Sequence, residues 1–199
     1  MMKVVLATGN TGKLHELQAM LTDSGIEVLP QRALGVHAIE ENGASFLGNA
    51  LLKARNAARQ TGLPAIADDS GLEVDALGGA PGVYSARYAG AEASDADKLE
   101  KLLKELRQVP TNNRTARFRC IVVYVRHTDD PMPVACEGIW EGCILEKPRG
   151  SNGFGYDPVF LVPGENKSAA ELTSVEKNRL SHRGQALRKL VQQLATLDP

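Results

Sequence analysis

The chain has 199 residues, 43% of them hydrophobic and 24% charged, and its formal net charge is −1, a balance typical of soluble globular proteins and not of disordered or fibrous ones. The near-neutral charge gives no electrostatic reason to expect nucleic acid as a partner. No apolar run approaches the ~20 residues of a membrane span, and the three cysteines lack the spacing of a zinc site or a disulfide framework, so we expect a cytoplasmic protein without a membrane partner.

The chain begins with the pattern of a strand, a glycine-rich loop and a helix. Lys3 to Ala7 is a β-branched apolar run, and Leu14, Leu17 and Leu21 recur later at helical spacing. The loop between them reads Thr8-Gly9-Asn10-Thr11-Gly12-Lys13. Its backbone N–H groups, the helix N-terminus and the lysine would suit a phosphate, although the loop matches neither the P-loop nor the dinucleotide fingerprint. An ordinary turn between strand and helix is the alternative.

A second strand is predicted from Ile26 to Leu29 and a helix from Ser45 to Thr61. One face of this helix is apolar, whereas Asn49, Lys53 and Asn56 lie on another face at positions i, i+4 and i+7. That polar face is either solvated or part of a site. Glu41, just before the helix, is either a site carboxylate or a stabiliser of the helix dipole.

Two adjacent carboxylates follow the next apolar run. Ala65 to Ala67 are predicted to end a buried strand, with Asp68 and Asp69 at its tip and a further strand from Gly71 to Val74. Because ionised carboxylates repel each other unless a cation or hydrogen-bond donors compensate, the pair indicates a site. An acidic turn capped by Gly71 is the alternative.

The middle of the chain has mainly structural patterns. Residues 78–88 are rich in Gly and Pro and predict an irregular loop, either functional or a connector. Ser94 to Asp97 begin a helix with a capping box and a leucine-rich core face. Residues 118–125 and 134–145 predict a hairpin whose strands hold the three cysteines, to which we assign no catalytic role.

The last third carries an aromatic loop and two helix starts. Phe154 lies between two glycines, where its ring either stacks on a nucleobase or folds back onto the hairpin. Thr173 to Glu176 form a second capping box, and a final helix with a buried face reaching Leu197 begins near His182 and Arg183. Cations at a helix N-terminus are unfavourable unless they face an anion or a carbonyl oxygen, so these two residues are candidate ligand contacts or are solvated.

Together these parts fit a nucleoside polyphosphate, because cations suit its phosphates, carboxylates suit Mg²⁺ and an aromatic ring suits its base. Six ordered motifs also resemble the inosine triphosphate pyrophosphatase family over nearly the whole chain. They are A-T-G-N-x-x-K at 7–13, E-x-G-x-S-F-x-x-N-A-x-x-K-A at 41–54, A-D-D-S-G at 67–71, G-A-P-G-x-Y-S-A-R at 79–87, G-F-G-Y-D-P at 153–158 and T-x-x-E-K-x-x-x-S-H-R at 173–183.

This resemblance implies Mg²⁺-dependent hydrolysis of the purine triphosphates ITP, dITP and XTP to the monophosphate and pyrophosphate. It also implies a homodimer of single domains, residues 1–199, with an α/β fold. Each domain would have an elongated central mixed β-sheet, flanking helices and two lobes around a substrate cleft.

The resemblance also assigns roles to residues. Asp69 matches the proton acceptor and, with Glu41 and Asp68, the acidic positions around the metal. Thr8, Gly9, Asn10, Thr11, Gly12, Lys13, Lys53 and Ser70 match phosphate-binding positions. Phe154, Gly155, Tyr156, Asp157, Lys177, His182 and Arg183 match the base and sugar pocket. A donor such as Arg183 would accept the C6 oxygen of hypoxanthine and reject the amino group of adenine. A non-catalytic nucleotide-binding regulator and a phosphoryl transferase are the rival classes.

Overall fold

The computed structural model of the chain describes residues 2–22 and 24–197, and for Leu197 it describes the backbone alone, so the predicted burial of that side chain lies outside the described residues. The helices are α1 Thr11–Leu21, α2 Phe46–Thr61, α3 Asp95–Glu105, α4 Ser174–Leu180 and α5 His182–Leu197. The strands are β1 Met2–Leu6, β2 Ile26–Pro30, β3 Ala65–Val74, β4 Thr115–Val125, β5 Val134–Ile144, β6 Phe160–Val162 and β7 Lys167–Ser168.

The strands of the described residues form one seven-stranded sheet in the order β2-β1-β3-β4-β5-β6-β7. The strand β1 pairs in parallel with β2 and β3, whereas β6 pairs antiparallel with β5 and β7. The sheet is therefore mixed, which confirms the predicted α/β class. No helix in the described part of the chain has the length and apolar character that a bilayer crossing requires.

The chain divides into two compact units. The first contains Met1–Asp69, Cys120–Gly138 and His182–Pro199, and the second contains Ser70–Arg119 and Ile139–Ser181. Three of the four boundaries fall inside β3, β4 and β5, so each of these strands contributes residues to both units, and the fourth falls between α4 and α5.

The first unit has two apolar clusters. One joins Ile66 and the sheet residues Val4 and Cys120 to side chains of α1 and α5, including Leu17 and Leu187. The other is built mainly from small residues of α2 and β3, namely Ala50, Ala54, Ala57, Ala58, Ala65 and Ala67, with Val5, Ala7, Val123 and Val125. The small side chains let α2 lie close to the sheet, which brings its polar positions near β3.

The second unit has a core built around aromatic rings. The ring centroid of Phe160 lies 4.5 Å from that of Phe118 and 5.2 Å from that of Trp140. Leu102 and Leu106, on the predicted face of the capping-box helix, are fully buried in the same cluster. The predicted capping boxes at Ser94 and Thr173 are both present, which confirms these two helix starts.

Two sequence predictions about this fold are wrong in detail. The strand β3 runs unbroken for ten residues, so Asp68 and Asp69 lie inside a strand and not at its tip. On one side, the pairing with β1 ends at Ile66, but on the other side β3 neighbours the eleven-residue β4, whose length lets the strand continue. Helix α1 begins at Thr11, inside the predicted loop, because the Asn10 side chain caps it by accepting a hydrogen bond from the Lys13 N–H at 3.0 Å.

Candidate active site

The two aspartates of β3 face different partners. Successive side chains of a strand point to opposite faces of the sheet, so two neighbouring carboxylates need not share one environment. Asp68 contacts residues of α1 and α5, whereas Asp69 contacts residues of α2. The alternation of β3 therefore separates two charges that would repel each other at a strand tip.

Asp68 is enclosed by cations. Its Oδ2 lies 3.0 Å from Lys13 Nζ and 3.3 Å from Arg183 Nε, and its side chain has no exposed surface. Burial alone would raise the pKa of Asp68, but the attraction of Lys13 and Arg183 outweighs burial and holds that pKa well below its usual range. Asp68 is therefore an ionised anchor for two cationic side chains.

Arg183 links this anchor to a second carboxylate. Its Nη1 donates to Glu16 Oε2 at 2.5 Å, and only 2% of the residue is exposed. Burial would lower the pKa of Arg183, but the carboxylates of Asp68 and Glu16 outweigh it and raise that pKa. The cation near the start of α5 thus faces anions, as the helix-dipole argument requires, and these anions belong to the protein. His182, the first residue of α5, is 4% exposed.

Asp69 shares one lysine with another carboxylate. Lys53 Nζ lies 2.9 Å from Glu41 Oε2 and 3.3 Å from Asp69 Oδ1. Burial raises the pKa of Asp69, and the neighbouring Glu41 charge adds to the rise, which together outweigh the attraction of the lysines. For Lys53, burial would lower the pKa, but Asp68, Asp69 and Glu41 outweigh it and raise that pKa.

Asn49 holds the second oxygen of Asp69. Its Nδ2 donates to Asp69 Oδ2 at 3.1 Å, and its Oδ1 accepts from the Gly43 N–H at 2.8 Å. A Cβ on Gly43 would come within 2.5 Å of that same Oδ1, so the backbone approach requires glycine. One buried carboxamide therefore joins Asp69 to the segment that carries Glu41.

The polar face of α2 is buried and not solvated. Asn49 is 1% exposed and Asn56 is 7% exposed. Asn56 Nδ2 donates to the carbonyl oxygen of His37 at 2.8 Å, and Gln60 Nε2 donates to the same oxygen at 2.9 Å. This face therefore fastens the segment between β2 and α2, of which Glu41 is part.

The segment Thr8–Lys13 follows β1, and α1 begins inside it. The Asn10 N–H donates to Thr8 Oγ1 at 3.2 Å, and Lys13 lies in the first turn of α1. Thr8, Gly9, Asn10, Thr11 and Gly12 are at least partly exposed. Of the loop, Lys13 is the residue that joins the Asp68 cluster.

The pair of Glu41 and Asp69 has the chemistry of a magnesium site. Within residues 2–22 and 24–197, no group of three His, Cys, Asp or Glu side chains is arranged to hold a metal ion. Mg²⁺ is usually bound by one or two carboxylates together with substrate phosphates and water, so a pair is sufficient. Both carboxylates already converge on one cationic atom, Lys53 Nζ, and therefore fit a small hard cation.

The second unit contains its own group of predicted site residues. Asp157 Oδ2 accepts from the Phe154 N–H at 2.9 Å and from Lys177 Nζ at 2.5 Å, and both charged side chains are buried. Lys177 Nζ also lies 4.7 Å from the centroid of the Phe154 ring, a cation–π contact. Gly153 has φ +74°, and a Cβ there would overlap Asp157 Oδ2.

The Phe154 ring is half-buried, so its flanking glycines do not display it fully to solvent. The physical reason is the Asp157 carboxylate, which draws the loop into a turn and brings Lys177 against the ring. Gly155 is fixed from outside the loop, because its N–H donates to Asp95 Oδ2 at 2.6 Å. Tyr156 is buried and donates through its hydroxyl to the carbonyl oxygen of Ser85 at 2.9 Å.

The structure thus places the predicted residues in two groups. The first unit brings together Lys13, Glu41, Lys53, Asp68, Asp69 and Arg183, and the second brings together Phe154, Gly155, Asp157 and Lys177. Ser70 follows Asp69 in β3 and is half-buried. Sequence reasoning did not assign Asn49 or Glu16 to the site. The spacing of Asn49 four residues before Lys53 was the available signal, whereas Glu16 had none beyond its place three residues after Lys13.

The chain is similar to known proteins over nearly its whole length. A family profile described as the Ham1 family matches residues 4–193. The dITP/XTP pyrophosphatase of Shigella flexneri is 59% identical over 194 residues, and that of Pectobacterium atrosepticum is 60% identical over 194 residues, in each case 98% of both chains. A solved HAM1 protein structure from Coxiella burnetii matches with a TM-score of 0.91 at 50% identity and covers 98% of this chain and 100% of that one. The chain therefore belongs to the Ham1 family, in agreement with the family that its motifs predict.

Proposed function

We propose that this protein hydrolyses ITP, dITP and XTP to the nucleoside monophosphate and pyrophosphate in a reaction that requires Mg²⁺. Removing these deaminated nucleotides would keep their bases out of DNA and RNA. The observation that carries the proposal is the pair of carboxylates, Glu41 and Asp69, converging on Lys53 beside a second buried cluster of Lys13, Asp68 and Arg183. The high identity to proteins named dITP/XTP pyrophosphatase supports the choice of substrate.

Glu41 and Asp69 are the residues that would hold Mg²⁺. The ion would supply positive charge against the charge that develops on the transferred and leaving phosphates. Asp68 was also predicted as a metal ligand, but its contacts are with Lys13 and Arg183, so we assign it the positioning of those two cations.

Asp69 is the proposed proton acceptor. Its pKa is raised by burial and by Glu41, which makes the carboxylate a stronger base than an ordinary surface aspartate. A water molecule would attack the α-phosphorus and lose its proton to Asp69, while the bond from the α-phosphorus to the bridging oxygen breaks and pyrophosphate leaves. The water oxygen would remain on the monophosphate. Lys13, in the first turn of α1, would neutralise phosphate charge, with the N–H groups of residues 8–12 as further donors.

Phe154 and its neighbours are the proposed recognition elements for the base. Asp157 and Lys177 fix the turn that carries Phe154, so the ring is preorganised for stacking. The discrimination of hypoxanthine from adenine by Arg183 stays a prediction, since its Nε and Nη1 donate to carboxylates of the protein. Phe154→Ala is expected to raise KM for ITP and leave kcat nearly unchanged, whereas an equal fall in kcat would argue against a binding role.

The deciding experiment is a pyrophosphate-release panel with ITP, XTP, dITP, ATP and GTP, each with and without Mg²⁺. Release of pyrophosphate from ITP, XTP and dITP only when Mg²⁺ is present supports the proposal. Release of orthophosphate instead, or nucleotide binding without turnover, would identify a different enzyme or a regulator.

The direction of attack is tested in ¹⁸O-labelled water. The label should appear in the monophosphate, because the water oxygen bonds to the α-phosphorus. Label in pyrophosphate would exclude attack at that atom. We further propose that the protein is a homodimer, for which light scattering after gel filtration should give the mass of two chains, and the mass of one chain would contradict it.

A further inference from the structure

Lys53 holds the two carboxylates that a metal would need. Its ammonium lies within 3.3 Å of one oxygen of Asp69 and within 2.9 Å of one oxygen of Glu41, and 14% of its side chain is exposed. The other oxygen of Asp69 accepts a hydrogen bond from Asn49, which fixes the direction in which the first one points. The lysine therefore neutralises the same oxygens that would bind Mg²⁺.

We propose that Lys53 is an internal competitor of the divalent cation, so that the metal binds by displacing the Lys53 ammonium from Glu41 and Asp69. This inference rests on the proposed function and deepens it by adding a control on metal binding. Two cations cannot occupy the same position between two carboxylates, and the ammonium sits on a flexible four-carbon stem that allows it to leave. Metal binding to the protein without nucleotide is then weak, because it must break both contacts of Lys53.

The other lysine of the site provides a matched comparison. Lys13 also carries a single positive charge and also belongs to the cluster, but its carboxylate contact is Asp68. Removing Lys13 changes the charge around the site by the same amount as removing Lys53. It leaves the two contacts of Lys53 in place. Direct competition and general electrostatic repulsion therefore predict different results for the two lysines.

The test measures Mn²⁺ binding to the nucleotide-free protein by the electron paramagnetic resonance signal of the free ion. Lys53→Met should lower the Mn²⁺ dissociation constant by about tenfold or more relative to the unsubstituted protein. Lys53→Arg, which keeps a cation between the carboxylates, should bind Mn²⁺ as weakly as the unsubstituted protein. Lys13→Met should change the dissociation constant much less than Lys53→Met.

An unchanged dissociation constant in Lys53→Met would overturn the proposal, as would equal tightening in Lys53→Met and Lys13→Met. Tight binding that survives when Glu41→Gln is added to Lys53→Met would also overturn it, because the metal would then lie elsewhere. Lys53→Gln is measured in parallel, so that the test stands if the methionine variant does not fold.

Pyrophosphate release from ITP by the unsubstituted protein is recorded on the same preparations. Absence of pyrophosphate release would refute the proposed function. The Mn²⁺ dissociation constants test the competition between Lys53 and the metal independently of that activity.

Discussion

Asn49→Leu removes a buried carboxamide that joins Asp69 to the segment carrying Glu41. Leucine has the same number and branching of side-chain heavy atoms as asparagine but can neither donate to Asp69 Oδ2 nor accept from the Gly43 N–H. Because Asn49 is 1% exposed, water has little access to replace either bond. The substitution therefore tests whether a buried carboxamide positions the proposed proton acceptor.

The magnitude follows from the two bonds. The bond to the neutral Gly43 N–H contributes about 1 kcal/mol and the bond to the charged Asp69 about 2 kcal/mol, so the free energy of unfolding should fall by ~3 kcal/mol. Since ~1.4 kcal/mol corresponds to a factor of ten in rate, loss of the ~2 kcal/mol bond that orients Asp69 should lower kcat by up to ~30-fold. KM for ITP should change little, because Asn49 is not a proposed substrate contact.

Asn56→Leu is the matched control. Asn56 lies on the same face of α2, is also buried, and donates to the carbonyl oxygen of His37 while accepting from Arg59 and Gln60. Its replacement should cost a similar ~2–3 kcal/mol in stability. It should lower kcat much less than Asn49→Leu does, because its bonds hold the Glu41 segment only at His37 and do not reach Asp69.

The assays are urea unfolding and pyrophosphate release from ITP, the latter at a temperature where both variants are folded. Equal losses of kcat in the two variants would refute a specific positioning role for Asn49. An Asn49→Leu protein with unchanged stability would refute the two hydrogen bonds themselves.

Two further predictions concern the first unit. Gly138→Ala should lower the free energy of unfolding by ~3 kcal/mol or prevent folding, because the added Cβ would overlap the backbone carbonyl of His182; unchanged thermal unfolding would contradict this packing. Asp130→Asn should cost about 2 kcal/mol at pH 7, because the buried carboxylate accepts from the Arg126 guanidinium and backbone N–H. These hydrogen bonds hold the pKa of Asp130 well below its usual range. Because the pKa of Asp130 is lower in the folded protein than its unfolded value near ~4, this stabilisation is complete above that unfolded value and is lost as pH falls below it. The difference in unfolding free energy between the unsubstituted protein and Asp130→Asn, measured in urea, should therefore shrink at low pH. An equal difference at pH 7 and pH 3.5 would refute the assignment.

Local signals in the sequence predicted most of the secondary structure. The capping boxes at Ser94 and Thr173 and the strand-loop-helix pattern at the N-terminus depend on neighbours within a few residues, and all three are present. The prediction that the strand ends after Ala67 was wrong, because the continuity of β3 depends on β4, a neighbouring strand some fifty positions away in sequence. The early start of α1 follows from the cap at Asn10, which hydrophobic spacing does not record.

The candidate site was predictable as a set of residue types but not as a set of contacts. The residues of the first cluster were identified from motifs, yet the sequence did not show that Arg183 faces Glu16 and Asp68 across more than a hundred residues. The polar face of α2 had two interpretations, because solvated and buried asparagines have the same spacing. The alanines opposite decide between them, since they allow α2 to approach the sheet closely enough to bury Asn49 and Asn56.

The position of the aspartate pair inside a strand explains how two adjacent carboxylates acquire opposite properties. At a strand tip both would face the same solvent and cations, and their pKa values would differ little. Within β3 successive side chains point to opposite faces of the sheet. Asp68 therefore contacts Lys13 and Arg183, which lower its pKa, whereas Asp69 is buried beside Glu41, where its pKa rises.

Neighbouring groups whose environments push their pKa values apart are suited to different roles, here a permanent anion at Asp68 and the proposed base at Asp69. Asp68→Asn and Asp69→Asn should therefore fail in different ways. The first should destabilise the fold by ~3–5 kcal/mol, because it removes the carboxylate that faces Lys13 and leaves the buried Arg183 with Glu16 alone. The second should leave the protein folded and lower kcat by at least ~100-fold. If the two variants lost the same amounts of unfolding free energy and of kcat, the two aspartates would not have different roles.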